Sequence, residues 1–342
     1  MSDSTFSPPK PASAAEKATP LAEVDLRPLT TSELIDRGFS LYRAHFAGFL
    51  LLALLSQLAP LLSQIIIASA RLAPTQTEIQ GSPLIFGKKM GIILAINITT
   101  LLVVFCFEIV ATFFISDAYL GKIPSVTDCF RKFTTFIGSS IWTCGLNMVL
   151  VGLTFLFPFG AAAASYFYEL IYTPTTFGSI LVFAIVSFLL FVASLAPVLI
   201  VFMRLWVIVP ALALEGLAGW KAVKRSITLV RYDPGLGILY WGEMRLSFLL
   251  LPLFIIDLLI LSITSLPLVV FQVGDTFHHG SAGQIATPPG AILIVSQILT
   301  YLAGSLIWPL YSIATTLFYY DVRIRREGFD LEFMARQLGG GK

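Results

Sequence analysis

Six long apolar stretches dominate the chain, near 47–70, 91–117, 136–157, 179–213, 245–271 and 291–320. Runs such as FLLLALLSQLAPLLSQIIIASA (49–70) reach the ~20 residues that an α-helix needs to cross the bilayer core. The pattern predicts six transmembrane helices. The fourth and sixth are long, and Pro197, Pro210 and Pro309 permit kinks within them, while tilt is the other way to accommodate the length.

Between the apolar stretches, three segments mix polar and apolar residues at helical spacing. In LTTSELIDRGFSLYRAHF (29–46), Thr30 is placed to cap a helix, with Glu33 as its reciprocal partner and Leu29 and Leu34 as a hydrophobic staple. Leu34, Ile35, Phe39, Tyr42 and Phe46 then share one face, which predicts an amphipathic helix lying in the interface before the first span. PSVTDCFRKFTTFIG (124–138) and GWKAVKRSITLVRYDPG (219–235) repeat the mixture ahead of the third and fifth spans. Leu41-Tyr42-Arg43 followed by Gly48 echoes Leu229-Val230-Arg231 followed by Gly235. The even spans also leave the membrane alike: Asp117 precedes Gly121-Lys122, and Glu215-Gly216 and Glu327-Gly328 close the fourth and sixth. The expected fold is all-α and polytopic, with three repeats of an interfacial amphipathic helix plus a transmembrane hairpin over 29–333. A disordered tail (1–28) and a flexible tail (334–342) flank it. The alternative is that cytoplasmic loops of membrane proteins are commonly basic and amphipathic without any repeat.

Composition agrees. Of 342 residues, 56% are hydrophobic and only 12% charged, against about 25% charged in soluble domains. The opening MSDSTFSPPKPASAAEKATP lacks the apolar core of a secretory signal, so the first span is expected to act as the insertion signal. Net charge is +2, and its distribution is more informative than its size. Eighteen Lys and Arg fall on one side of the predicted spans and three (Arg71, Lys88, Lys89) on the other, with Arg204 inside a span. The positive-inside rule then places both termini in the cytoplasm. FPFGAAAASYFYELIYTPTTFG (157–178) is read as an outer loop whose Tyr166, Phe167, Tyr168 and Tyr172 form an aromatic belt. His278 and His279 fall in another outer loop, where an adjacent pair makes a poor metal site. Cys106, Cys129 and Cys144 are too scattered for a disulfide frame or a metal site and read as small apolar filler.

RPLTTSELIDRGFSLYRAHFAGFL (27–50), VPALALEGLAGWKAVKRSITLVR (209–231) and LFYYDVRIRREGFDLE (317–332) resemble three signature stretches of bacterial proteins related to the membrane domain of glycerophosphoryl diester phosphodiesterases. The resemblance covers about residues 27–332. It implies a six-span protein of the bacterial inner membrane. In some relatives the module precedes a catalytic barrel that cleaves glycerophosphodiesters, using metal-binding acids and acid–base histidines. No such barrel follows the last span here. The three histidines are His45, His278 and His279, with His45 on the opposite side from the other two. The hydrolase activity is therefore not carried over.

Charged groups inside a span cost about 2.5–3.5 kcal/mol near its centre and are usually paired or functional. Glu108 and Arg204 are expected at similar depths and placed to pair, with Asp257 close enough to join or compete. Asn97 lies almost three helical turns before Glu108 on the same face. Gln57, Gln64, Asn147 and Gln297 are candidates for bonds between helices, and Ser296, Thr300 and Gly304 for a small-residue stripe suited to close packing. The polar set Glu108, Arg204, Asp257 and Asn97 is read either as a site for a lipid headgroup, ion or proton, or as a buried pair that fixes helix register.

Three functions follow. The first is a non-enzymatic membrane module that organises lipids, through anionic headgroups at the cytoplasmic face, or protein partners. The second is a transporter or lipid-handling protein built on the intramembrane polar set. The third is a membrane-embedded hydrolase, for which no nucleophile–base pair, HExxH or Gly-rich phosphate loop is present. No cofactor and no nucleic-acid partner is expected. In the charged ending, Tyr319 and Tyr320 are expected to mark the interface, Asp321 to pair with Arg325 and Arg323 with Glu327. Gly328 is expected to end the helix, so that Phe329, Leu331 and Phe333 fold back onto the membrane.

Overall fold

A computed structural model describes residues 27–70, 72, 82–172, 177–231, 242–279, 290–329 and 331. The expected tails therefore fall outside the described residues, apart from Arg27 and Pro28. Among the described residues the regular elements are all helices.

Three short helices, α1 (Thr31–Ala44), α4 (Val126–Thr134) and α9 (Trp220–Val230), each precede a hairpin of long ones. The first hairpin is α2 (Phe46–Ser69) and α3 (Pro83–Tyr119). In the second, α5 (Ile137–Thr154) runs on as α6 (Leu156–Tyr172), and α7 (Phe177–Leu205) runs on as α8 (Ile208–Glu215). In the third, α10 (Gly242–Thr264) runs on as α11 (Leu266–His279) and returns as α12 (Gly290–Glu327). Among the described residues, six segments are long and apolar enough to cross a membrane, and they coincide with the six predicted stretches. The chain is a multi-pass all-α membrane protein, and the short amphipathic helix recurs before each odd span.

The local chemistry explains the starts. Thr30 Oγ1 accepts from Glu33 N at 3.3 Å, and Glu33 Oε2 accepts from Thr30 N at 2.7 Å, closing a capping box. Leu29 and Leu34 are both buried, as a staple requires. Ser125 Oγ caps α4 by accepting from Asp128 N at 3.5 Å, without the reciprocal bond. The inner faces of α1, α4 and α9 bury Leu34 and Gly38, Cys129, and Ala222, Val223 and Leu229 respectively.

Several expectations about loops and kinks are corrected. Residues 157–172, expected as a loop, continue the third span as α6. Pro158 falls in the first turn of that helix, where its missing N–H is tolerated. The aromatic-belt side chains Tyr166, Phe167, Tyr168 and Tyr172 lie outside the described side chains, as do those of His278 and His279, which end α11 rather than sitting in a loop. Pro197 and Pro309 lie inside continuous helices. The fourth span breaks at Trp206–Val207, so Pro210 falls in the first turn of α8 and is buried there.

Packing is concentrated at one end. Ile109–Ser116 of α3, Val207–Ala213 and Ser312–Val322 of α12 are buried on every face, as expected of helices at the centre of a core. α12 packs against α1, α2, α3, α10 and α11, and also meets α8 and α9. Toward the other end the spans expose apolar side chains such as Leu62, Leu94, Leu189 and Ile263. This is stable only if lipid covers them. Ser296 and Thr300 do contact the α10–α11 junction, with both hydroxyls bonding Thr264 at 3.1 Å. At Gly304, the third member of the expected stripe, an added Cβ would meet nothing within 4 Å, so no neighbour there requires a glycine.

Candidate functional site

The intramembrane polar set does not assemble as an ion pair. Arg204 Nε bonds Glu243 Oε1 at the start of α10, 2.6 Å away, and not Glu108. The reason is the break after Leu205: α7 ends there, and the Arg204 side chain meets the N-terminus of α10. Glu108 is half-buried and faces the neutral Ser312 and Trp308 side chains of α12, with no cation paired to it among the described residues. Asp257 lies on α10, within electrostatic reach of Tyr311 of α12, and no described cation pairs with it. Asn97 donates to Ile93 O of its own helix at 2.8 Å, not toward Glu108. Asn147 Oδ1 is buried without a partner. No bond between helices forms at Gln57, Gln64 or Gln297 among the described residues.

The charge instead converges at the packed end, around the last turns of α12. The first cluster centres on Asp321, whose side chain is 1% exposed. Its carboxylate takes Arg325 Nε at 3.0 Å from the next turn and Arg245 Nη2 at 2.9 Å from α10. It also accepts the backbone N–H of Leu29 at 2.8 Å. The Leu29 carbonyl in turn accepts from Arg325 Nη2 at 2.6 Å and Arg245 Nη2 at 3.2 Å. Both backbone groups of the residue before the α1 cap are thereby satisfied, which a buried segment outside a helix needs.

The second cluster centres on Glu215, the last residue of α8. The positive φ of +66° at Gly216 turns the chain there, a left-handed conformation that glycine adopts without strain. Arg225 of α9 reaches back with Nε and Nη2, each 2.8 Å from a Glu215 oxygen, and its Nη2 also bonds Glu327 Oε2 at 2.8 Å. The hydrogen bond to Glu327, with the Glu215 pair behind it, holds the Arg225 guanidinium pKa above its ordinary value. Tyr319 OH donates to Glu215 Oε1 at 2.8 Å, and Arg323 Nε bonds Glu327 at 3.1 Å. Arg326 donates to the Thr228 and Arg231 carbonyls at 2.8 and 2.7 Å, satisfying acceptors that the end of α9 leaves open. Ser226 Oγ donates to Arg204 O at 2.6 Å, closing the end of α7.

The conspicuous motifs thus have structural roles. In EG…KRS, Glu215 and Arg225 form a bidentate pair, Gly216 makes the turn and Ser226 caps. In YYDVRIRREG, each polar side chain has a partner, and Gly328 ends the helix at φ +64°. The expected pairs Asp321–Arg325 and Arg323–Glu327 form. Tyr319 and Tyr320, expected at the interface, are 0% and 3% exposed. Tyr320 shares a 2.7 Å hydrogen bond with Ser116 and stacks on Tyr119 at 5.1 Å. Phe329 folds back over Tyr320 and Arg323, Leu331 is exposed, and Phe333 lies outside the described residues. Sequence reading missed Arg245, Glu215 and Arg225 as partners of this block. The one signal for them was that all three are charged residues on the same side of the spans as this block.

Most cations at this end are engaged with the protein itself. Arg43, Lys221, Lys224 and Arg231 face outward without a bonded partner, with Trp220 half-exposed beside the α9 lysines. Among the described residues no group of three or more His, Cys, Asp or Glu is placed to hold a metal ion.

No protein-family model matches the chain, and no curated protein or solved structure matches it either.

Proposed function

We propose that the protein is a non-enzymatic membrane module of the bacterial inner membrane, with both termini cytoplasmic, that organises lipids or protein partners at the cytoplasmic face. The observation that carries this reading is the division of labour among the charged residues. Asp321, Glu215 and Glu327 with Arg225, Arg245, Arg323 and Arg325 lock the packed end internally. Arg43, Lys221, Lys224 and Arg231 remain turned outward. A basic surface beside an anionic leaflet gains about 1 kcal/mol per Lys or Arg near it, and the half-exposed Trp220 suits the headgroup region. The resemblance to membrane modules related to glycerophosphoryl diester phosphodiesterases agrees in architecture. The alternative, a transporter or lipid-handling protein, needs Glu108, Arg204 and Asp257 to act together, and their separate partners speak against it.

The test is mild purification with mass spectrometry of co-purifying lipids and proteins, together with reconstitution into vesicles. A stoichiometric protein partner or tightly retained anionic lipid supports the module. Solute or proton flux that depends on Glu108 or Asp257 overturns it in favour of transport.

A further inference from the structure

One groove is lined by apolar side chains of three helices at once: Leu34 and Phe39 of α1, Leu249 and Ile256 of α10, and Leu310 and Ile313 of α12. Its volume is about 80 Å³, well below the roughly 300–1,000 Å³ of small-molecule pockets. It is also far too narrow for a helix of ~10 Å diameter. It suits a stretch of extended hydrocarbon. From Leu249 to Ile256 it follows α10 for seven residues, about 10 Å at 1.5 Å per residue. Along α10 the lining runs from Leu249, 2% exposed on the side of the charged cluster, to Ile256, 41% exposed.

The same three elements meet at its polar end. Arg245 stands one turn before Leu249 on α10, Asp321 two turns beyond Ile313 on α12, and Leu29 just ahead of α1. There one carboxylate, Asp321, serves two guanidinium groups, Arg245 and Arg325. The cluster therefore carries one net positive charge. Its donors are not exhausted. The bonds of Arg245 to Asp321 and Leu29 leave from Nη2, and those of Arg325 from Nε and Nη2. A guanidinium carries five N–H groups in a fixed fork, so Nη1 of both residues and Nε of Arg245 stay open for an anion. Guanidinium groups pair well with phosphate oxygens through parallel hydrogen bonds.

From this geometry we propose that the groove holds one acyl chain of an anionic phospholipid whose phosphate rests on Arg245 and Arg325. The inference builds on the reading of the chain as a lipid-facing membrane module and names the lipid site within it. The apolar lining selects the chain, and the net charge with its free donors selects an anionic over a zwitterionic headgroup.

The experiment uses the full chain, stripped of lipid in detergent and then exchanged with vesicles of equal phosphatidylglycerol and phosphatidylcholine. Native mass spectrometry counts the retained lipid. The expected result is at least ten-fold enrichment of phosphatidylglycerol. Ile256→Trp fills the groove's outer end from a position already 41% exposed, and should lower that retention at least ten-fold with helical content unchanged. Equal retention of the two lipids, or full retention by a folded Ile256→Trp, overturns the proposal. A second readout on the wild type covers a variant that fails to fold. Phosphatidylglycerol carrying a photoreactive acyl chain should label peptides of α1, α10 and α12, and labelling confined to other helices overturns the groove. Failure here alongside a stoichiometric protein partner leaves the module reading standing. Flux through the protein would sink that reading without touching the groove.

Discussion

The backbone N–H of Leu29 and the carboxylate of Asp321 are joined by a 2.8 Å hydrogen bond across 292 positions of sequence. The segment before the first helix is thus held by the last turns of α12, and Arg245 and Arg325 hold the same carboxylate. Removing one partner of a buried pair leaves the others uncompensated, which costs about 3–5 kcal/mol. Asp321→Ala should therefore lower stability by about that amount in a reversible detergent or denaturant unfolding assay. A loss below about 1 kcal/mol, the scale of an exposed pair, would show that the cluster holds nothing.

Arg204 and Glu243 should couple, and Arg204 and Glu108 should not. In double-mutant cycles, contacting charges show interaction energies of about 0.5–3 kcal/mol, while separate sites add within about 0.3–0.5 kcal/mol. Arg204→Gln with Glu243→Gln is expected in the first range and Arg204→Gln with Glu108→Gln in the second. The reverse ranking would restore the intramembrane pair that depth along the helices suggested.

Glu215 and Arg225 make a bidentate contact that Tyr319 and Glu327 extend, so their deletions should be strongly non-additive. Glu215→Gln and Arg225→Gln are each expected to loosen the joint between α8, α9 and α12, and the double variant should cost less than the sum. Simple additivity in thermal unfolding would argue that the contact is incidental.

The capping box makes α1 acid-sensitive. The Thr30 backbone N–H bonded to Glu33, with Arg27 beside it, lowers that carboxyl to about 2. Because the folded value lies below the ordinary one of 4.5, protonation favours the undocked helix. The contribution is complete above about pH 4.5 and is lost as pH falls toward 2. Hydrogen exchange at the start of α1 should quicken across that window, and Glu33→Gln should flatten the dependence. Identical profiles for wild type and variant would remove Glu33 from the account.

Gly242 opens α10 where the chain returns from α9. A Cβ there would sit 2.5 Å from the Val230 carbonyl oxygen, which is backbone and cannot rotate away. Gly242→Ala should cost about 1–3 kcal/mol, as overpacking does. Gly145→Ala, at a position with nothing within 4 Å, is the control and should be close to neutral. Equal stabilities for the two variants would refute the tight α9–α10 junction.

Much of the fold was legible because its signals are local. Apolar length gave the six spans, and the Thr30–Glu33 spacing with Leu29 and Leu34 gave the start of α1. The pairs Asp321–Arg325 and Arg323–Glu327 followed from helical periodicity alone. The candidate polar site was less legible, since depth along a helix does not fix direction around it. Glu108 and Arg204 share an expected depth but face different neighbours, and the break at Trp206–Val207, where Pro210 cannot donate to the Trp206 carbonyl, sends Arg204 to Glu243. Tyr319 and Tyr320 misled for a related reason. Tyrosine near a span end usually marks an interface, but here Glu215 and Ser116 give both hydroxyls partners inside the core.

The order in which the ribosome delivers these helices matters. Leu29 emerges 292 residues before the carboxylate that secures it. At synthesis rates of 5–20 residues per second, that is roughly 15–60 s of waiting. In the last third of that interval Glu215 and Arg225 have each other but neither Tyr319 nor Glu327. The earlier helices must therefore rest in the bilayer as a loose raft, and the packed end closes when α12 slides in among them. A nascent chain arrested before residue 319 should accordingly be inserted yet protease-sensitive at α1, and release of the remaining residues should confer resistance in a single late step.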